Sequence, residues 1–223
     1  MTPDLTHTRD LVDRLFRLSA AGDWAEALNP TQRMALAYLA RANRFSRCPS
    51  HVAEYMALTR GTASQTLKAL VRKKLICAQR SPVDGRSISY KVTEQGALMM
   101  RRITVVEQVL QTMDTDFVRT FNAQLEIVLR QALLLYGKKP FGPCRSCQYH
   151  EKTGSGAHCG LLNEPLQAGE DQQICQEFAQ EASDIKVAGA YESFGKFFCL
   201  PEGFGCADPV CFSPDYLGQA CLV

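Results

Sequence analysis

Apolar residues recur at helical spacing through most of the first 136 residues, which predicts a mainly helical fold. Leu11, Leu15 and Leu18 fall on one face of a first helix. Asn29 precedes a first-turn proline, and Thr59 precedes another amphipathic run, so both side chains are typical helix caps. The predicted helices cover residues 5–20, 30–42, 49–56 and 59–73. The last three follow one another closely, as in a helix-turn-helix.

The helix predicted over residues 59–73 has two unlike faces. Ala63, Leu67 and Leu70 recur at steps of three and four, which indicates a buried side. The other side carries small hydroxyls, an amide and cations, which can bond base edges or phosphates in a major groove. A solvated surface helix would show the same pattern, so both interpretations stay open here. The candidate DNA-binding residues on this helix are Arg60, Thr62, Ser64, Gln65, Lys68 and Arg72.

Two short strands are predicted next, over residues 75–80 and 87–92. Asp84-Gly85 supplies the turn between them, so the segment is a hairpin with a basic tip. Arg86 follows the turn and is placed to enter a minor groove, whose negative potential attracts a guanidinium. Arg86 is therefore a further candidate DNA-binding residue. The alternative is a solvated loop charge, with Asp84 pairing to hold the loop.

Charge is distributed unevenly along the chain. The formal net charge is +2, but residues 1–140 hold 21 Lys and Arg against 12 Asp and Glu, whereas residues 141–223 hold 4 against 11. Between residues 41 and 91, 11 cations accompany only Glu54 and Asp84. This basic segment is the candidate for phosphate contact, and double-stranded DNA is the expected partner. A merely solvated charged face is the alternative.

Six short segments together carry a resemblance to a known family. They are Leu28-Asn-Pro-Thr-Gln32, Val52-Ala-Glu-Tyr-Met56, Leu58-Thr-Arg-Gly-Thr62, Leu70-Val-Arg-Lys-Lys-Leu-Ile76, Asp84-Gly-Arg86 and Val92-Thr-Glu-Gln-Gly96. Over about residues 28–100 the chain resembles the MarR family of bacterial winged-helix regulators. The resemblance implies a two-fold dimer, with the helix from Arg60 in the major groove and Arg86 in the adjacent minor groove of a pseudo-palindrome. Lys74 stands where that family commonly has glycine.

Two more amphipathic stretches follow, over residues 96–113 and 116–136. The second has an apolar stripe wide enough for a helical interface. Such a stripe indicates either a buried core or a contact between subunits. The family resemblance implies that N- and C-terminal helices pack between subunits, so that the core and the dimer interface would be the same surface. A homodimer is therefore expected. The stripe consists of Phe117, Phe121, Leu125, Val128, Leu129, Ala132 and Leu135.

A cysteine-rich segment begins after the helix-ending residues 137–140. Eight of the ten cysteines lie in the last eighty residues, which favours metal or redox chemistry over disulfides in the reducing cytosol. The first four have the pattern C-x2-C-x11-C-x15-C. A CxxC pair and two more distant thiolates can complete a tetrahedral site, and free thiols are the alternative. The candidate metal ligands are Cys144, Cys147, Cys159 and Cys175.

Four thiolates suit either an iron–sulfur cluster or zinc. The spacing is similar to that of high-potential iron–sulfur proteins, and a module that can be lost or oxidised is the more useful one in a regulator, so a [4Fe–4S] cluster is preferred and zinc is the alternative. His150 or His158 could replace one cysteine. A second metal or redox site is the hypothesis for the remaining cysteines of the tail, Cys199, Cys206, Cys211 and Cys221.

The predicted fold class is mainly α (α+β). A winged helix-turn-helix with dimerisation helices occupies residues 1–140, and a small cysteine-rich metal-binding module occupies residues 141–223. The predicted protein is a cytoplasmic, non-enzymatic transcriptional regulator, because no secretory signal, membrane span or catalytic constellation stands out.

The expected signal for such a regulator is redox state, oxygen or nitric oxide, or iron, sensed by the cluster. One alternative keeps the DNA binding but has a structural zinc and a small-molecule effector. The other is a thiol or iron–sulfur electron carrier or enzyme.

Overall fold

The structure is a computed structural model that describes residues 4–21, 28–80, 87–154 and 156–180. All of these fall within one compact unit of the chain. The predictions for Arg86 and for the four tail cysteines concern residues outside this described part. They stay predictions.

Seven helices and seven short strands occur in the described residues, so the mainly helical α+β class is confirmed there. The helices are α1 (Leu5–Ala21), α2 (Pro30–Arg41), α3 (Pro49–Tyr55), α4 (Arg60–Arg72), α5 (Glu94–Met100), α6 (Val105–Gln111) and α7 (Thr115–Leu135). The strands are β1 (Ile76–Arg80), β2 (Ile88–Val92), β3 (Gly142–Pro143), β4 (His150–Thr153), β5 (Gly156–Cys159), β6 (Glu164–Leu166) and β7 (Ile174–Cys175).

The first four helices begin and end close to the bounds expected from the sequence. The side chain of Asn29 accepts a hydrogen bond from the backbone N–H of Gln32 at 2.8 Å, and Thr59 caps α4 through the N–H of Thr62. Helices α2, α3 and α4 pack around one apolar core, with β1 and β2 at its edge. The fully buried members of this core include Leu36, Leu39, Val52, Leu67, Leu70 and Ile76.

The hairpin forms as predicted where the structure describes it. Strands β1 and β2 pair antiparallel, from Ile76 opposite Val92 to Arg80 opposite Ile88. The turn between α4 and β1 places Lys74 at a φ of +59°, in the left-handed region that glycine favours. Glycine would adopt this conformation without strain. The chain accepts backbone strain at Lys74 and still makes the tight turn.

The amphipathic stretch 96–113 is two helices rather than one. Helix α5 ends at Met100, and α6 starts at Val105. The side chain of Thr104 accepts from the N–H of Glu107, while the Glu107 carboxylate accepts from the N–H of Thr104. This reciprocal capping box begins a new helix and thereby interrupts the old one. The spacing of apolar residues continues across the break, so the sequence pattern alone predicts a single stretch.

Helix α7 keeps its apolar stripe on the surface of the single chain. None of its 21 residues is buried, and Val128, Leu129 and Leu135 are each at least 60% exposed. The helix ends as predicted, because Gly137 has a φ of +58° and Lys138 donates its N–H to the carbonyl of Leu133. In the described part of the chain, no helix is long and apolar enough to cross a membrane.

The cysteine-rich segment packs onto the winged helix. The ring of Phe141 contacts the rings of Tyr38 and Tyr55 edge-on, with centroids 6.1 and 5.3 Å away. Ala42, at the end of α2, forms a parallel bridge with Ile174 in β7. Residues 141–180 therefore share a surface with the helix-turn-helix, while the predicted domain boundary at residue 140 stays a prediction.

Candidate functional site: an exposed helix face and a cluster of cysteines

Helix α4 presents the predicted polar face. Its candidate DNA-binding side chains are exposed, apart from Ser64, which is half-buried. The opposite face is buried through Ala63, Leu67 and Leu70, as predicted, and also through Thr66. The hydroxyl of Thr66 donates to the carbonyl of Thr62 at 2.9 Å, so a buried threonine keeps its hydrogen bond within the helix.

Two small sheets bring the first four cysteines of the segment together. Gly142 in β3 pairs with Cys175 in β7, which sets Cys144 beside Cys175. His150 in β4 pairs with Cys159 in β5, which sets Cys159 beside the turn that holds Cys147. All four cysteines line one cavity, whose volume of about 10 Å³ is close to what one water needs. The other lining residues are Tyr149, His150, Leu166 and Glu177.

The thiols of Cys144 and Cys175 form a hydrogen-bonded pair. The hydrogen bond from Cys144 lowers the pKa of Cys175 to about 6, whereas the same bond and burial raise the pKa of Cys144. Of the two thiols, Cys175 is thus the one whose negative charge its surroundings favour. A buried thiolate of this kind is a ready ligand for a soft cation.

Hydrogen-bond donors from the helix-turn-helix reach this pair. The amide of Asn43, which is fully buried, donates to Sγ of Cys144 at 3.3 Å. The proximity of Asn43 and Ser46 also lowers the pKa of Cys175. On the other side of the cavity the N–H of Ala179 donates to Sγ of Cys147 at 3.5 Å. The sulfurs thus lie among donors that stabilise negative charge.

The donor set fits a soft metal or a cluster in its chemistry. Four thiols converge on one cavity, and Nε2 of His150, which lines it, is buried without a hydrogen-bond partner among the described residues. His158 instead lies 3.5 Å from the carboxylate of Glu151 and away from the cavity lining. As they stand, however, no three or more His, Cys, Asp or Glu side chains in the described ranges are arranged to hold a metal ion.

A buried ion pair connects the two parts of the site. Arg44 forms an ion pair with Glu170, and Glu170 also accepts from the backbone N–H of Arg44. The guanidinium of Arg44 donates to the carbonyl of Pro165 at 2.8 Å and lies 3.6 Å from the exposed carboxylate of Glu164. Sequence reasoning missed Arg44, Glu170, Asn43 and Ser46, since their partners are more than a hundred residues away in the chain.

The helix-turn-helix segment is the part of the chain that matches a known protein family. Residues 28–87 match the model of the MarR family. Over this segment the chain is similar to the MarR family. The family resemblance predicted from the sequence is confirmed for it, while the cysteine-rich metal module stays a prediction.

Solved structures similar to this chain cover little more than half of it. A MarR transcriptional regulator from Methanosarcina mazei is 19% identical, has a TM-score of 0.49, and covers 58% of this chain and 99% of its own. The MepR–DNA complex of Staphylococcus aureus is 17% identical at 0.46, covering 58% and 98%. The FabT–DNA complex of Streptococcus pneumoniae is 18% identical at 0.47, covering 59% and 99%. No curated protein matches the chain.

Proposed function

We propose that this protein is a dimeric, DNA-binding transcriptional regulator without enzymatic activity. The observation that carries the proposal is the exposed polar face of α4 on a MarR-type winged helix. The apolar stripe of α7, none of which is buried, supports the dimer, because a monomer rarely leaves so large an apolar surface in water. In this arrangement α4 enters the major groove and the hairpin tip with Arg86 enters the minor groove of each half-site.

We further propose that a cysteine-ligated metal centre sets the DNA affinity. Cys144, Cys147, Cys159 and Cys175 would hold it, with His150 beside them. A [4Fe–4S] cluster there would supply a charge that changes with redox state and a ligand set that can be lost. Zinc, with a separate small-molecule effector, is the alternative. Thiol ligands bind metal in their deprotonated form, so metal binding is expected to release protons.

The test is metal analysis combined with DNA titration. Iron, acid-labile sulfide and zinc are measured per chain on protein purified without oxygen, and operator fragments selected from random DNA are then titrated with metal-loaded and metal-free protein at one salt concentration. Iron with equimolar sulfide, and an affinity at least tenfold different between the two forms, is expected. Equal affinities overturn metal control, and zinc in a colourless protein directs the search to an effector.

Substitutions in α4 and in the hairpin tip between β1 and β2 test how the protein docks on DNA. Gln65→Ala should reduce the discrimination between bases at one position by about 1 kcal/mol. Arg86→Ala should weaken binding to all DNA sequences alike, and the salt dependence of the affinity should fall by the equivalent of about one phosphate contact. The control is Arg119→Ala, which removes an exposed cation from α7. Competition titrations at several salt concentrations measure both effects. If both variants behave like the control, α4 does not face the DNA in this way.

A further inference from the structure

The loop between α2 and α3 contacts the cysteines directly. We infer that Asn43 and Ser46 in this loop are positioning residues of the cysteine centre, through which the state of Cys144 and Cys175 is transmitted to the helix-turn-helix. The inference rests on the proposed function, since it names how the metal centre would control DNA binding. It assigns a role in metal binding to residues of the DNA-binding part of the chain.

Asn43 has the features of a ligand-orienting residue rather than of a packing residue. Its side chain is fully buried, its Nδ2 donates to Sγ of Cys144, and its Oδ1 has no hydrogen-bond partner in the described part of the chain. A buried amide with one unsatisfied oxygen destabilises a core relative to an apolar side chain of similar size. The donation to sulfur is the interaction that a leucine at this position could not make.

The strength of these hydrogen bonds depends on the charge of the sulfurs. An N–H or O–H donates more strongly to a thiolate than to a thiol or to a sulfur whose charge a metal has partly neutralised. Such outer hydrogen bonds orient metal ligands and tune the metal, and removing one typically costs 10- to 100-fold in metal affinity. Changing the centre therefore changes how tightly Asn43 and Ser46 are held.

The same loop is tied to the parts of the winged helix that meet DNA. Ser46 accepts from the phenol of Tyr38 through its carbonyl at 2.7 Å, and from the N–H of Gln176 through its hydroxyl at 2.8 Å. The carbonyl of Arg47 accepts from the N–H of Tyr90 in β2 at 3.0 Å. Helix α3 begins two residues later. A shift of the loop is thereby passed to the wing strand and to the helix that supports α4.

The test substitutes Asn43 in the full chain. Asn43→Leu keeps the volume and removes the donor, and Asn43→Asp keeps the shape and places an acceptor beside the sulfurs in case the leucine variant does not fold. The matched control is Ser89→Ala, which alters a fully buried polar side chain whose hydroxyl has no partner among the described residues. Cobalt(II) is the probe, because thiolate ligation gives it a charge-transfer absorption whose loss to excess chelator can be followed in time.

Three readouts separate positioning from simple destabilisation. Both Asn43 variants should release cobalt at least tenfold faster than wild type and the Ser89→Ala control, and metal should raise their melting temperatures less. The difference in DNA affinity between metal-loaded and metal-free protein should also shrink. Unchanged cobalt release, or an unchanged affinity difference, overturns the inference.

The two proposals fail in different ways. A wild-type chain with equal DNA affinity in both metal states contradicts metal control and the transmission to the helix-turn-helix, and cobalt release then tests only whether Asn43 positions the cysteines. A wild-type chain that shows the affinity difference, together with Asn43 variants that retain it in full, contradicts only the inference. A wild-type chain that binds no cobalt through its thiols contradicts both.

Discussion

Replacing Glu170 by glutamine is expected to lower the free energy of unfolding by about 3 kcal/mol, the lower end for breaking a buried ion pair. The Glu170 side chain is 5% exposed and lies against the guanidinium of Arg44, which would lose its main counter-charge. The carboxylate also accepts from the N–H groups of Arg44 and Gln167, so it joins the cysteine segment to the loop of the helix-turn-helix. Arg44 keeps its contacts with Glu164 and Pro165, which limits the loss.

The matched control uses the other acidic partner of the same arginine. Glu164→Gln removes a carboxylate that is 52% exposed and 3.6 Å from Arg44, so its effect should stay below about 1 kcal/mol. Urea unfolding of both variants and wild type, at one salt concentration and without added metal, gives the comparison. Equal losses of unfolding free energy for the two variants would contradict a stabilising role for the buried ion pair between Arg44 and Glu170.

The winged helix could be predicted because its signals are local. The caps at Asn29 and Thr59 and the apolar steps from Ala63 to Leu70 each act within a few residues. The break between α5 and α6 was missed because the apolar spacing runs on across it. Only the reciprocal bonds of Thr104 and Glu107 start the new helix there.

The grouping of the first four cysteines of the cysteine-rich segment could be predicted, whereas the residues around them could not. The spacing from Cys144 to Cys175 predicted a common metal site, which stays a prediction, and the structure places the four thiols around one cavity. Nothing local marks Asn43, which meets Cys144 across 101 residues of chain, or Arg44, which meets Glu170 across 126. These contacts depend on how the cysteine-rich segment packs against the end of α2. The spacing of apolar residues along the chain gives no information on that packing.

Replacing Gly96 by alanine is expected to lower the free energy of unfolding by about 2–3 kcal/mol, because an added methyl has no space there. A Cβ on Gly96 would overlap the backbone carbonyl oxygen of Leu75 and approach Cγ1 of Val92 to 2.9 Å. That carbonyl cannot move freely, since it accepts from both the N–H and the hydroxyl of Thr93. The substitution must push α5 away from the start of β1.

Gly61→Ala, in the same winged helix, is expected to change the free energy of unfolding in the opposite direction. Gly61 lies exposed in the first turn of α4, where a Cβ meets only Oγ1 of Thr59 at the ordinary distance of 3.9 Å. Alanine has less conformational freedom in the unfolded chain and a better helix propensity, so this variant should be more stable by up to about 1 kcal/mol. Thermal and urea unfolding of the two variants check the difference in sign. A stabilised Gly96→Ala would contradict the close packing of α5 on Leu75, and with it the position of the strand that leads into the wing.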